Sequence, residues 1–177
     1  MRKLMNSELN RLSPEGFIQA EKIPVTIILD NIRSQHNVGA VFRSSDAFLI
    51  ESICLCGITG TPPNAEIHKS ALGSENVVDW KYFINTQEAV KELKKKGYTI
   101  ISIEQTEGAV ELSEFKVEKG KRYAIIFGNE VKGVAQEIVD ISDNCIEISQ
   151  FGTKHSLNIS VSAGIVIWEF FKQLNKY

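Results

Sequence analysis

The stretch Ala124-Ile125-Ile126-Phe127-Gly128-Asn129-Glu130 decides the fold, because a short apolar run stops at a glycine and hands a carboxylate to a loop. Apolar residues at successive positions over this length mark a strand covered on both faces, as in a parallel sheet. Further along, Cys145-Ile146-Glu147-Ile148 repeats the pattern, and Ser149-Gln150-Phe151-Gly152-Thr153-Lys154-His155-Ser156 follows as a polar loop. A long apolar segment, Ser156 to Leu174, then has the length of a helix.

The same alternation runs through the upstream half. Val25 to Leu29 is a β-branched run of strand length, and the spacing of Val41, Phe42, Ala47 and Phe48 suits a helix from Gly39 to Phe48, with Asn37 as its cap. Ser52 to Cys56 reads as a second buried strand, Gly57 to Asn64 with Pro62-Pro63 as a loop, and Ala65 to Ala71 as a short helix. Trp80 to Phe83 is strand-like. Asn85, with Glu88 three residues on, opens a helix that Lys94-Lys95-Lys96-Gly97 closes with cations on the negative end of its dipole. Tyr98 to Ile103 is the next strand, and Glu104, Glu107 and Glu111 after it read as a solvated loop. Strands alternating with helices predict an α/β domain: a mostly parallel sheet with helices on both faces and a ligand site beyond the carboxyl ends of the strands.

With 177 residues the chain suits one domain, read as 23–177, preceded by a short helical arm over 1–22. Charged residues make up 24% and the formal charge is −2, which argues against polyanion binding by the whole surface and leaves room for a local basic patch. The basic residues of Met1 to Glu8 have no apolar run behind them, so no secretory signal is read and a cytoplasmic location is expected. Leu157 to Phe171 is interrupted by Asn158, Ser160, Ser162 and Glu169 and falls short of the ~20 residues that span a bilayer, so no membrane segment is expected. Cys54, Cys56 and Cys145 cannot all pair within one chain and are read as reduced, buried thiols. The terminal helix is apolar nearly all round, more than one sheet face can cover, which predicts a second copy packed on it in a homodimer.

For chemistry, the common phosphate cradles are absent. The turn from Asp30 to Gly39 lacks G-x-G-x-x-G, and no G-x-x-x-x-G-K-[ST] loop occurs. His36, His68 and His155 have no metal-ligand spacing, so no metal is expected, and no G-x-S-x-G elbow is present, although spacing leaves a Ser-His-carboxylate arrangement open. Three polar clusters remain: Asn37 with Arg43, Gly128-Asn129-Glu130, and Ser156-Leu157-Asn158. From spacing alone, Arg43 is either at the strand-end rim with Asn37 or an ordinary arginine on a helix surface.

Asn37-Val38-Gly39-Ala40-Val41-Phe42-Arg43, Phe127-Gly128-Asn129-Glu130-Val131-Lys132-Gly133-Val134 and Ser156-Leu157-Asn158-Ile159-Ser160-Val161-Ser162 together resemble the three signature motifs of the SpoU/TrmH family of RNA ribose methyltransferases, in the family's order. The resemblance implies S-adenosylmethionine as cofactor, a ribose 2′-hydroxyl of tRNA or rRNA as acceptor, a homodimer, and a C-terminal trefoil knot. It implies Arg43 as the catalytic residue, with Asn37 and Glu130 positioning it or the ribose, and Ser156 and Asn158 organising the knot loop and the target nucleotide. Backbone groups of Gly128, Ile148 and Leu157 would hold the cofactor, with Thr106 or its neighbours as the remaining wall. Ser149-Gln150 departs from the family's usual Pro-Met. Two alternatives stand beside this reading: an inactive RNA-binding dimer of the same fold, and a methyltransferase acting on a non-RNA acceptor.

Overall fold

The computed structural model describes residues 1 to 175, so 176 and 177, the end of the expected domain, lie outside the described residues. Its strands are β1 (Ile23–Asp30), β2 (Ile50–Cys56), β3 (Trp80–Phe83), β4 (Tyr98–Ile103), β5 (Val110–Glu111), β6 (Arg122–Phe127) and β7 (Asn144–Glu147). The helices are α1 (Pro14–Gln19), α2 (Gln35–Ala47), α3 (Ala65–Ala71), α4 (Thr86–Lys95), α5 (Gln136–Val139) and α6 (Ile159–Leu174). The seven strands form one sheet in the order β3-β2-β1-β6-β4-β7-β5, and every neighbouring pair is parallel.

The side-chain alternation of each strand feeds two cores. Ile27, Leu29, Ile125 and Phe127 point to one face and pack with Val41 and Phe42 of α2, Ile67 of α3, and Ala163, Val166 and Phe170 of α6. Ile28, Ala124 and Ile126 point to the other and pack with Val90 and Leu93 of α4 and Ile138 of α5. Helices therefore cover both faces, and each fully buried Ile or Phe contributes on the order of 1.5–3 kcal/mol. The arm is not a continuous helix: a 3-10 turn at Asn6–Glu8 precedes α1, whose Phe17 is buried in the first core.

Two sequence expectations change. Ser34, not Asn37, caps α2, its hydroxyl accepting from the Asn37 amide, so Asn37 lies one turn inside the helix and is buried. Cys145 is only half-buried, while Cys54 and Cys56 are buried and unpaired, and burial pushes the Cys54 thiol up to about 12.

At the far edge the connectivity is unusual. Ile146 of β7 pairs with Ile103 on one side and with Val110 on the other. The connection 104–109 therefore reaches across β7 to join the two strands that flank it. Among the described residues no helix is long and apolar enough to cross a membrane.

Candidate active site

The carboxyl ends of β4, β6 and β7 open onto a cleft of about 510 Å³. Its walls come from separate parts of the chain: Ile103 to Gln105 after β4, Phe127 to Gly133 after β6, Glu147, Ile148 and Gln150 at the end of β7, and His155 to Ile159 leading into α6. Gly128, Ile148 and Leu157 thus share one cavity, as do Glu130, Ser156 and Asn158. Thr106 does not join them. It lines a neighbouring depression with Asn144 and Cys145, and Glu104 and Gln105 stand in the wall where it was expected.

Gly128 is required by a close backbone crossing. A Cβ there would stand 2.1 Å from the Gly133 carbonyl carbon and 2.2 Å from the Val134 nitrogen, distances no side chain tolerates. The crossing is fastened by reciprocal backbone bonds between Asn129 and Gly133, 3.0 and 2.8 Å, and by the Glu104 carboxylate, which accepts from the Val134 amide at 2.8 Å and the Gln105 amide at 2.9 Å. Asn129 completes it: its side-chain amide donates to the Asn31 carbonyl at 2.7 Å, and its oxygen accepts from Val131 at 2.9 Å.

Glu130 reaches from this loop to the start of α2. Its carboxylate accepts from the Arg33 amide at 3.0 Å, the Ser34 amide at 3.1 Å and the Asn37 side chain at 3.2 Å. An anion at a helix N-terminus is favourably placed. Burial works against its charge, but these hydrogen bonds outweigh burial and hold the carboxyl below its usual range. Such a group is ionised and already engaged, which suits it to holding Asn37 and the turn rather than to accepting a proton.

Asn158 caps α6, its side-chain oxygen accepting from the Ser160 amide at 2.9 Å and the Ser160 hydroxyl at 2.7 Å. Ser156 is exposed at the cleft wall. Arg43 is placed elsewhere. It lies on the outward stripe of α2 with His36, Ala40 and Ala47, makes no hydrogen bond or ion pair among the described residues, and is not part of the cleft wall. One chain therefore brings Asn37 to Glu130 but does not bring Arg43 to the cavity.

Glu104 was missed as a site residue, Gln105 is the neighbour of Thr106 that stands in the wall, and Asn129 was named only as a member of the Gly128-Asn129-Glu130 cluster, with no role. Glu104 read as one of several solvated acids, and only the fold shows it bridging two cleft walls. A signal existed for Asn129 in its place between a strand-end glycine and a carboxylate, where Asn commonly organises a turn.

The chain matches the model of the SpoU rRNA Methylase family over residues 24–168. It is 30% identical over 171 residues to a tRNA (guanosine(18)-2′-O)-methyltransferase of Aquifex aeolicus, covering 96% of this chain and 78% of that protein. It is 26% identical over 166 residues to a 23S rRNA (guanosine-2′-O-)-methyltransferase of Vibrio parahaemolyticus, covering 94% of this chain and 66% of that one. In structure it resembles an AdoMet-bound rRNA methyltransferase from Sinorhizobium meliloti, with a TM-score of 0.81 and 24% identity over 94% of this chain and 62% of the other.

Proposed function

The chain belongs to the SpoU rRNA methylase family, and we propose on that premise that it transfers a methyl group from S-adenosylmethionine to a ribose 2′-hydroxyl of tRNA or rRNA. The observation that carries the reading is the convergence of Gly128, Ile148 and Leu157 on one cleft beyond parallel strand ends.

The cavity suits this cofactor in kind. Gly128 lets the Gly133–Val134 backbone close against it and so shapes the cleft wall, Ile103, Ile148 and Leu157 supply an apolar surface for a purine, and backbone amides and carbonyls at the strand ends would supply its polar contacts. When bound, S-adenosylmethionine supplies a methyl group on a sulfonium. The chemistry that group would supply is a methyl carbon for the ribose oxygen with the thioether sulfur as leaving group, and the hydroxyl proton would pass to water. The protein's task is to align the hydroxyl and stabilise the negative charge that grows on its oxygen. Arg43 is assigned to that charge. Its guanidinium presents only hydrogen-bond donors, so it acts as a donor to the oxygen or clamps the adjacent phosphate. Glu130 and Asn37 brace the wall beside it, and Ser156 and Asn158 shape the loop that receives the nucleotide.

Because Arg43 lies outside its own chain's cleft wall, the reading includes a homodimer in which Arg43 of one copy completes the cavity of the other. The bare apolar stripe of α6 supports this pairing: Val161, Ile165 and Trp168 are all exposed. We assign the 104–109 connection across β7 to the knot that the family resemblance implies.

Tritiated-methyl transfer to total RNA, followed by mass spectrometry of ribose-methylated nucleosides, tests the activity. Arg43→Ala is expected to abolish transfer and leave cofactor affinity within several-fold by calorimetry. Equal loss of both would remove Arg43 from the chemistry, and no labelled 2′-O-methyl nucleoside with the wild-type protein would remove the activity itself.

A further inference from the structure

Phe151 is 98% exposed, more than any other aromatic residue among those described as exposed. A phenyl ring held in water on a polar loop presents both faces to solvent, and a planar apolar surface of that kind can receive a stacked base. Gln150 before it and His155 to Asn158 after it line the cleft, which places the ring beside the cleft mouth. The loop is held at its base, where the Ser149 hydroxyl bonds Glu111 and the Gln105 side chain donates to the His155 carbonyl at 3.2 Å.

The cleft wall carries Glu104, Glu130 and Glu147 beside Lys132, and Arg33 and Lys154 stand on the segments that flank it. The side chains of Arg33, Lys132 and Lys154 make no ion pair among the described residues, a freedom they share with Lys91, Lys95 and Lys119 elsewhere, and what sets them apart is their place beside the cleft and Phe151. The carboxylates of Glu104 and Glu130 accept from backbone amides at the same rim. The cations are therefore unpaired next to an unpaired aromatic ring, the combination that binds single-stranded nucleic acid by stacking a base and neutralising phosphates.

We propose that Phe151 is a stacking platform for an unpaired nucleobase of the RNA acceptor, with Arg33, Lys132 and Lys154 meeting the flanking phosphates. The inference rests on the methyltransferase reading and adds to it a way of holding the acceptor open: RNA recognised by stacking must present an unstacked base, so the acceptor nucleotide lies in a loop or single strand.

The test uses the full chain and total RNA as probe, in filter binding and in methyl transfer. Phe151→Ala is expected to raise the RNA dissociation constant roughly 5- to 100-fold, while Phe151→Trp restores it and Phe151→Leu does not. Cofactor affinity by calorimetry and the sedimentation coefficient should stay unchanged. Lys132→Gln and Lys154→Gln should each flatten the dependence of log affinity on log salt by about 0.7. Unchanged RNA affinity in Phe151→Ala overturns the proposal. Loss of cofactor binding overturns it by making the ring a cover for the donor, and a shift in sedimentation does so by making a second copy its partner. Wild-type transfer measured alongside separates the two failures: active wild type with an indifferent Phe151 sinks this inference alone, and inactive wild type sinks the activity on which it stands.

Discussion

Glu130 links two motifs that are far apart in the chain, and its acid behaviour follows from how it does so. Its carboxyl is held below the usual range in the folded state, so its contribution to stability is present above the unfolded value of about 4.3 and is lost as pH falls through the lower folded value. The group is exposed, which keeps that contribution small. Glu130→Gln should therefore lower the melting temperature slightly at pH 7, where the charge contributes, and converge on wild type as pH falls from about 5 to about 3, flattening the acid limb. A profile identical to wild type would mean that the amides of Arg33 and Ser34 do not depend on the charge. Gly128→Ala belongs to the same scale. With 2.1 Å available at the Gly133 carbon, the backbone crossing must shift, at a cost of about 1–3 kcal/mol by analogy with overpacking, and cofactor affinity should fall with it in calorimetry. A glycine at a strand end could be read from the sequence, but the segment that presses on it could not, since Gly133 and Val134 meet it only after the loop closes. Glu104 was illegible for the same reason, and of Thr106 and its neighbours it is Gln105, across the turn after β4, that faces the wall.

At the scale of elements, the buried strands were legible because burial on both faces leaves continuous apolar runs, as in β1, β2, β4 and β6. The short β5 and α5 were not, because two and four residues carry no readable period. The cap of α2 was missed because Ser34 and Asn37 are both competent caps, and Asn37 is drawn instead to Glu130. Asn158 caps α6 and also lines the cleft, so the helix cap and the proposed role at the nucleotide fall on one side chain. Asn158→Ala should cost about 0.5–2 kcal/mol in chemical denaturation through the lost cap, whereas Asn158→Ser keeps a capping oxygen and should hold most of that stability. If Asn158→Ser also keeps wild-type transfer, the residue acts through the helix. Stability retained with transfer lost would assign the amide itself to the nucleotide.

Considered as a whole molecule, the chain has an internally complete core and an incomplete surface. α6 buries Ile159, Ala163, Val166, Ile167 and Phe170 and leaves Val161 at 49%, Ile165 at 39% and Trp168 at 43% exposure, spaced as i, i+4 and i+7 along one outward stripe. Those three side chains are too few for a stable contact, which needs about 800 Å² from each partner, so the proposed dimer interface would extend onto a neighbouring element. α2 is that neighbour: Phe48 at its end packs on Trp168 and Phe171 with ring centroids 5.4 and 5.2 Å apart, and the same helix carries Arg43 outward. Ile165→Asp should then convert the proposed dimer to a monomer in analytical ultracentrifugation, since a carboxylate there has no partner in an apolar contact. Transfer should fall by at least tenfold, because Arg43 would no longer reach a second cleft. Mixing Arg43→Ala with Gly128→Ala subunits, whose lesion lies in the cleft and away from α2, makes the same point without breaking the dimer. If Arg43 serves its partner's cleft, mixed dimers regain one intact cavity in two and recover activity that neither parent has. If it serves its own, the mixture stays as inactive as its components.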